Sequence, residues 1–481
     1  MTPKTPSVTV SNLGQVDLEK APPLRNFRAW LKFRWVPVVL TIIALITMGT
    51  TISGHSKAMS PIDEWVYLDY LQKVPTQIMV HRGEIMTQEA LGYLACDGQA
   101  LQGRISYLKC DGAYDRMQFP YTGISSADSY TPLYFIPTSL IGYAAHFVTG
   151  IDIVASWRWA DSLWLVAGLL MFLALLRLFK VPNLVQFAMG MLIIGSPFSY
   201  WTYSYVSTDA PALLMGGMLL YFAIKYLRGE MRAWPTLVAS VAAVALKFPF
   251  VMGVMLVSLL FVVEWIIRAR DAAGAQRRVW RTMFQRKNLV LPMWGVINIA
   301  AATLFAFVWL RLVTLLAVST EVAAQGINYR FTIFEAMRLI VSFGPTSLLH
   351  KLSTPDAGGF DAIPVPALAA APLGWILIAG ILSAFWGLTR KSENRALTIS
   401  IAIATVTFGI ILAAVIRLTQ GFYFQLGSRY VAILSIGLLL MVALQIRNKW
   451  ATWIIIGYGG CLALSMPVAS YIVTSLEWAH G

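Results

Sequence analysis

Charge is scarce in this chain. Asp, Glu, Lys and Arg make up 12% of its 481 residues against 58% hydrophobic ones, too little polar surface to coat a water-soluble globule of that length. An all-α, polytopic membrane protein is expected. Cysteine (three) and histidine (five) are scarcer still. The motifs GxxxxGKS/T, HExxH, GxSxG and CxxC do not occur, which removes the phosphate-cradling loop, the zinc-protease histidine pair, the nucleophile elbow and the paired thiols as sources of chemistry. No repeat of about 20 to 50 residues is present, and no pair of broken helices recurs in two halves as inverted-repeat transporters often show.

Long apolar runs are what the chain does have. Eleven, each near the roughly 20 residues that span a bilayer, lie at 35–53, 157–177, 184–204, 209–225, 234–248, 249–267, 289–312, 366–389, 396–416, 430–446 and 450–473. Residues 1–33 are polar, with no apolar core before a small-residue cleavage site, and read as a cytoplasmic tail ahead of one membrane domain, 34–481. A twelfth segment, 132–148 ("PLYFIPTSLIGYAAHFV"), is short, with two prolines and no charged flank.

Charge placement decides that segment. If it lies along the interface, the inside segments hold 23 of the 37 Lys and Arg with five acids (Asp17, Glu19, Glu230, Asp271, Glu393). If it crosses, the later basic loops all face outward, against the positive-inside bias. It is therefore expected as a juxtamembrane helix, with 54–156 and 313–365 as the two large outer segments. The net charge of +14 belongs to inner loops and implies no nucleic-acid partner. In the first outer loop, Cys96 and Cys110 are either a disulfide closing a loop of about 15 residues or two free thiols.

That loop opens on "SPIDEWVYLDYL" (60–71). Ser60 as N-cap and Pro61 at the first helical position would make Asp63 a capping acid and Glu64 a complement to the helix dipole. The other reading is chemical, because Asp63, Tyr67 and Tyr70 share a face at i, i+4 and i+7, a carboxylate flanked by rings suited to a sugar or lipid head. Outside the inner segments and the first loop, the remaining cations are Arg158, Lys247, Arg311, Arg330, Arg338, Lys351, Arg417 and Arg429, all at the outer face. Lys247, Arg417 and Arg429 either bind a phosphate or snorkel and pair structurally; Asp209 is either functional or an N-cap before Ala210-Pro211. His81, His350 and Asp161 lack spaced partners and read as structural. The segment 333–349 reads as amphipathic and interfacial.

The order of these features resembles the GT-C superfamily of membrane glycosyltransferases: an inner N-terminus, one span, an outer loop opening with Asp-Glu and an aromatic helix ("IDEWVYLDYL"), then "TPLYFIPTSL". "RWADSLW" (157–164) is similar to the Arg-bearing start of the second span, "YVSTDAP" (205–211) to the next outer loop with its Asp, "LKFPF" (246–250) to a Lys at an outer turn, and "GSRYV" (427–431) to a late Arg-Tyr pair. No second acidic pair follows Glu64, a departure from the pattern. The resemblance implies a polyprenyl-phosphate-sugar donor, a glycan, glycolipid or protein acceptor, and an active site outside a bacterial cytoplasmic membrane. It further implies hexosyl or pentosyl transfer, mannosyl or arabinosyl in a cell wall. Asp63 would be the general base with Glu64 beside it, and Arg158, Asp209, Lys247, Arg417, Arg429, Tyr430, Tyr67 and Tyr70 would bind donor and phosphate. Convergence of Asp63, Glu64 and Asp209 on a divalent cation stays open. So do a lipid or oligosaccharide transporter and a non-catalytic assembly subunit.

Overall fold

The computed structural model describes residues 27–55, 57–61, 63–100, 107–273, 283–285, 288–321, 323, 330–349, 367–388, 394–421, 423–424 and 426–480. They fall into two units, Met1–Trp35 and Val36–Gly481. In the first, the described residues 27–35 are helical.

In the second, the described residues are mostly helical, and among them the only β features are two isolated bridges. Its main helices are α1 (Trp35–Gly54), α2 (Glu64–Gln77), α3 (Pro132–Thr149), α4 (Ile153–Leu178), α5 (Asn183–Ile194), α6 (Pro197–Tyr203), α7 (Ala212–Leu227), α8 (Trp234–Leu246), α9 (Val251–Ala273), α10 (Val290–Leu315), α11 (Ile333–Val341), α12 (Ala367–Leu388), α13 (Arg395–Gln420), α14 (Ser435–Gln445) and α15 (Lys449–His480).

Among the described residues, eight segments are long and apolar enough to cross a membrane: α1, α4, Phe248–Ala273, α10, Ala370–Gly387, Arg395–Leu418, Ser428–Gln445 and Lys449–Tyr471. The expected count of eleven is not reproduced. The run at 184–204 is α5 and α6, bent by 60°; Ser196 accepts the Ser199 N–H and Pro197 opens the new helix, so the first one stops there. Helices α7 and α8 have 16 and 13 residues, about 24 and 20 Å long, short of a hydrocarbon layer of about 30 Å. Helix α8 ends because Lys247 is extended and Pro249 has no N–H to continue the ladder. The segment expected at the interface, α3, is one 18-residue helix outside the set of eight.

Packing follows the rules of lipid-embedded helices, in which small residues let backbones approach. Helix α3 lies on α2 and α4, α4 on α7, α9 on α10, and α15 on α5. At Gly142 of α3 an added Cβ would lie 2.1 Å from the Trp157 ring; at Gly216 of α7 it would lie 2.3 Å from the Ile433 carbonyl. The second approach seats α7 against the 3-10 turn Ser428–Leu434. The amphipathic reading of the segment 333–349 holds for α11, where Ile333, Phe334, Met337 and Val341 are exposed while Glu335 and Leu339 are buried.

A buried charge cluster as candidate active site

Asp63 does not cap α2. It holds the N-cap position with φ 56° and ψ 6°, a left-handed conformation, and its carboxylate accepts no backbone N–H. Ser60 lies three residues ahead of that N-cap, and its N–H donates to Glu64 Oε2 at 2.7 Å. The side chain of Asp63 instead meets Arg429, Oδ2 to Nη2 at 3.3 Å.

Three other segments converge there. Asp209 sits in the turn before α7, Lys247 between α8 and α9, and Arg429 in the 3-10 turn before α14. Lys247 Nζ is 2.6 Å from Asp209 Oδ1, and Arg429 Nη1 is 3.9 Å from Asp209 Oδ2. The first is a close charged pair that leaves Lys247 with N–H groups to spare; the second is too long for a hydrogen bond, and the buried Arg429 Nη1 has no acceptor. Side-chain exposure grades from 1% at Asp209 and 2% at Lys247 through 16% at Arg429 to 36% at Asp63; the cluster opens on the Asp63 side. The Tyr430 ring lies 5.7 Å from Lys247 Nζ and 5.2 Å from Arg429 Cζ. Tyr67 receives the Thr208 hydroxyl at 3.2 Å and meets the Tyr130 hydroxyl at 3.3 Å.

Burial pulls the Lys247 ammonium down to about 8 against the opposing pull of Asp209. Burial, with the negative charge of Asp63 adding to it, raises the Tyr67 and Tyr130 phenols, which remain neutral donors.

Glu64 and Arg158, expected beside Asp63 and on a phosphate, are placed elsewhere. Glu64 is fully buried and accepts from Arg158 Nε (2.9 Å) and Nη2 (3.0 Å), Ser60 N (2.7 Å) and Val206 N (2.8 Å). With these four bonds its acceptor sites are filled. Asp161 does parallel work, accepting the Tyr134 hydroxyl and Ser207 N–H at 2.7 Å each. Two buried carboxylates thus hold consecutive amides just ahead of Thr208 and Asp209.

Other expected residues lie apart. Tyr70 stacks on Phe135 at 3.8 Å, away from Asp63. Exposed Arg417 donates to the Gly421 carbonyl at the end of α13. Arg311 lies over Phe307, and Arg338 pairs with Glu335. His81 meets Glu84. His350 and Lys351 fall outside the described residues. Cys96 and Cys110 are disulfide-bonded.

Glu64, tied to Arg158, does not converge with Asp63 and Asp209, so those three do not fit a shared divalent cation. Among the described residues no group of three His, Cys, Asp or Glu gathers for a metal. A cavity of about 600 Å³ shares none of the cluster residues; it lies between the ends of α4 and α7, α9 and the start of α13, where Lys180, Arg228 and Arg268 accompany Glu230 and Glu264.

Fold and cluster define an all-helical chain with several apolar helices of bilayer length and a four-charge site at helix ends. No family model and no curated protein matches it. Among solved structures it is similar to the arabinofuranosyltransferase AftD from mycobacteria, at 14% identity and a TM-score of 0.42, over 93% of this chain and 27% of that one. The chain spans about a quarter of that protein's length.

Proposed function

We propose that this chain is a membrane glycosyltransferase, moving a sugar from a polyprenyl-phosphate donor to an acceptor hydroxyl at the outer face of a bacterial cytoplasmic membrane. The observation that carries the reading is the junction of Asp63, Asp209, Lys247 and Arg429 from four segments, with a buried Lys247 and a half-buried Arg429 that still have donors to give. A lipid phosphate answers that need: Lys247 supplies a point charge and Arg429 a planar fork. The GT-C resemblance of the same motifs supports the donor class and the outer placement, and so does the disulfide, which persists in oxidising compartments.

In the reaction Asp63 takes the acceptor hydroxyl proton as that oxygen forms its bond to the anomeric carbon. The bond from that carbon to the phosphate oxygen breaks, and its electron pair leaves on polyprenyl phosphate, whose added charge Lys247 and Arg429 neutralise. Arg429 exchanges its loose contacts with the two carboxylates for the phosphate, releasing Asp63 as base. Lys247→Met and Arg429→Gln should each raise the donor KM at least tenfold, while Asp63→Asn should leave it within about threefold and cut kcat by about 10²–10⁴-fold. Normal donor KM in both cation variants would contradict the phosphate assignment.

A further inference from the structure

The loop 116–123 carries a second signal beside the cluster. Tyr121 (φ 57°, ψ 21°) and Thr122 (φ 53°, ψ 33°) are consecutive left-handed residues. With Asp63 they are three of the five non-glycine residues with positive φ among those described. Such conformations cost free energy and persist only where the surroundings hold them, typically at functional sites. Here the hold is dense. Thr122 N donates to Phe119 O (3.1 Å), Ile124 N to Tyr121 O (3.1 Å), and Met86 N to Gly123 O (2.9 Å). Arg116 Nη1 reaches Thr122 O, and Gly123 packs so closely on Arg116 that a Cβ would lie 2.6 Å from the Arg116 Cβ.

The effect is to lay the Tyr121 ring parallel to Trp65, 6° between planes and 6.3 Å between centroids, two residues along the chain from Asp63. Trp65 is buried and Tyr121 half-buried, so one ring anchors and the other keeps open surface. Asp63 is close enough to add to the effect of burial on the Tyr121 phenol. The closed end of the cluster is Lys247 and Asp209; Tyr121 stands at the open, Asp63 end, where the incoming hydroxyl must arrive.

We propose that Tyr121 is the stacking platform for a sugar ring of the acceptor, which makes the acceptor a glycan or glycan-headed lipid in place of a protein hydroxyl. This rests on the transferase reading above. A pyranose or furanose presents C–H groups on one face, which pack on an aromatic ring, and a ring fixed by its backbone loses little entropy on binding.

Three proteins in nanodiscs test it: wild type, Tyr121→Ala and Tyr121→Phe, each checked for an unchanged melting temperature. Tyr121→Ala should raise the acceptor KM at least tenfold while the donor KM and the slow release of polyprenyl phosphate to water stay within twofold; Tyr121→Phe, which keeps the ring, should behave as wild type. Saturation-transfer NMR with octyl glycosides of hexoses and pentoses should show contact to sugar C–H protons in wild type and Tyr121→Phe, and none in Tyr121→Ala. Equal glycoside contact in all three proteins, or a donor KM that rises while the acceptor KM does not, overturns the platform. Absence of polyprenyl phosphate release from wild type, with glycoside contact still dependent on the ring, overturns the transferase reading and leaves the sugar site standing.

Discussion

At the scale of single residues, adjacent acids have opposite fates. Asp63 is left-handed and partly open, whereas Glu64, one position on, is sealed against Arg158. Removing one partner of a buried ion pair leaves a buried charge uncompensated, at a cost of about 3–5 kcal/mol. Glu64→Gln should therefore lower stability by about that much in thermal or denaturant unfolding, and Asp63→Asn should change it by under about 1 kcal/mol; equal losses would remove the distinction. Lys247 gives a pH signature. Its ammonium is charged below a pKa of about 8 and neutral above it, so kcat/KM for the donor should fall as pH rises through about 8. The kcat limb should lie higher, because bound phosphate favours the charged form. A flat kcat/KM profile from about pH 7 to about pH 10 would contradict a role for that charge. The sequence pointed to Asp63, Asp209, Lys247 and Arg429 through their short motifs. It concealed the split between Asp63 and Glu64, which depends on a backbone twist at one residue, and it concealed Tyr121, whose loop conformation has no local pattern.

Among elements, the site is assembled by close approaches that the sequence shows only as glycines and short polar stretches. Gly216 lets α7 touch the turn carrying Arg429, and Thr131, the N-cap of α3, donates to the Ala245 carbonyl near Lys247. Gly216→Ala places a Cβ on the Ile433 carbonyl and should cost about 1–3 kcal/mol of stability. By moving Arg429 off Asp209 it should also raise the donor KM about tenfold; an unchanged KM in folded protein would disconnect this packing from the site. The Cys96–Cys110 link closes a loop of about 15 residues, so replacing both with Ser should cost about 2–4 kcal/mol by calorimetry. Apolar runs made the long helices legible. The bend at 195–196 and the shortness of α7 and α8 were not, since hydropathy counts greasy residues without seeing where Ser196-Pro197 or Lys247 breaks the ladder.

For the whole molecule, the charge asymmetry between loops predicts a sidedness. With Cys461 replaced by Ser, Gln118→Cys should react with a membrane-impermeant maleimide in intact cells, and Arg232→Cys only after lysis; both positions are exposed. The reverse pattern would turn the site inward. Bond transfer is tested most directly with purified protein in nanodiscs, given polyprenyl phosphate bearing a radiolabelled sugar and an extract of cell-envelope acceptors. Label should move from the donor into a separable product, polyprenyl phosphate should appear in equal amount, and both signals should drop by about 10²–10⁴-fold in Asp63→Asn at matched folding. Label that stays on the donor with wild-type protein, or product formed by Asp63→Asn within about threefold of wild type, would contradict it.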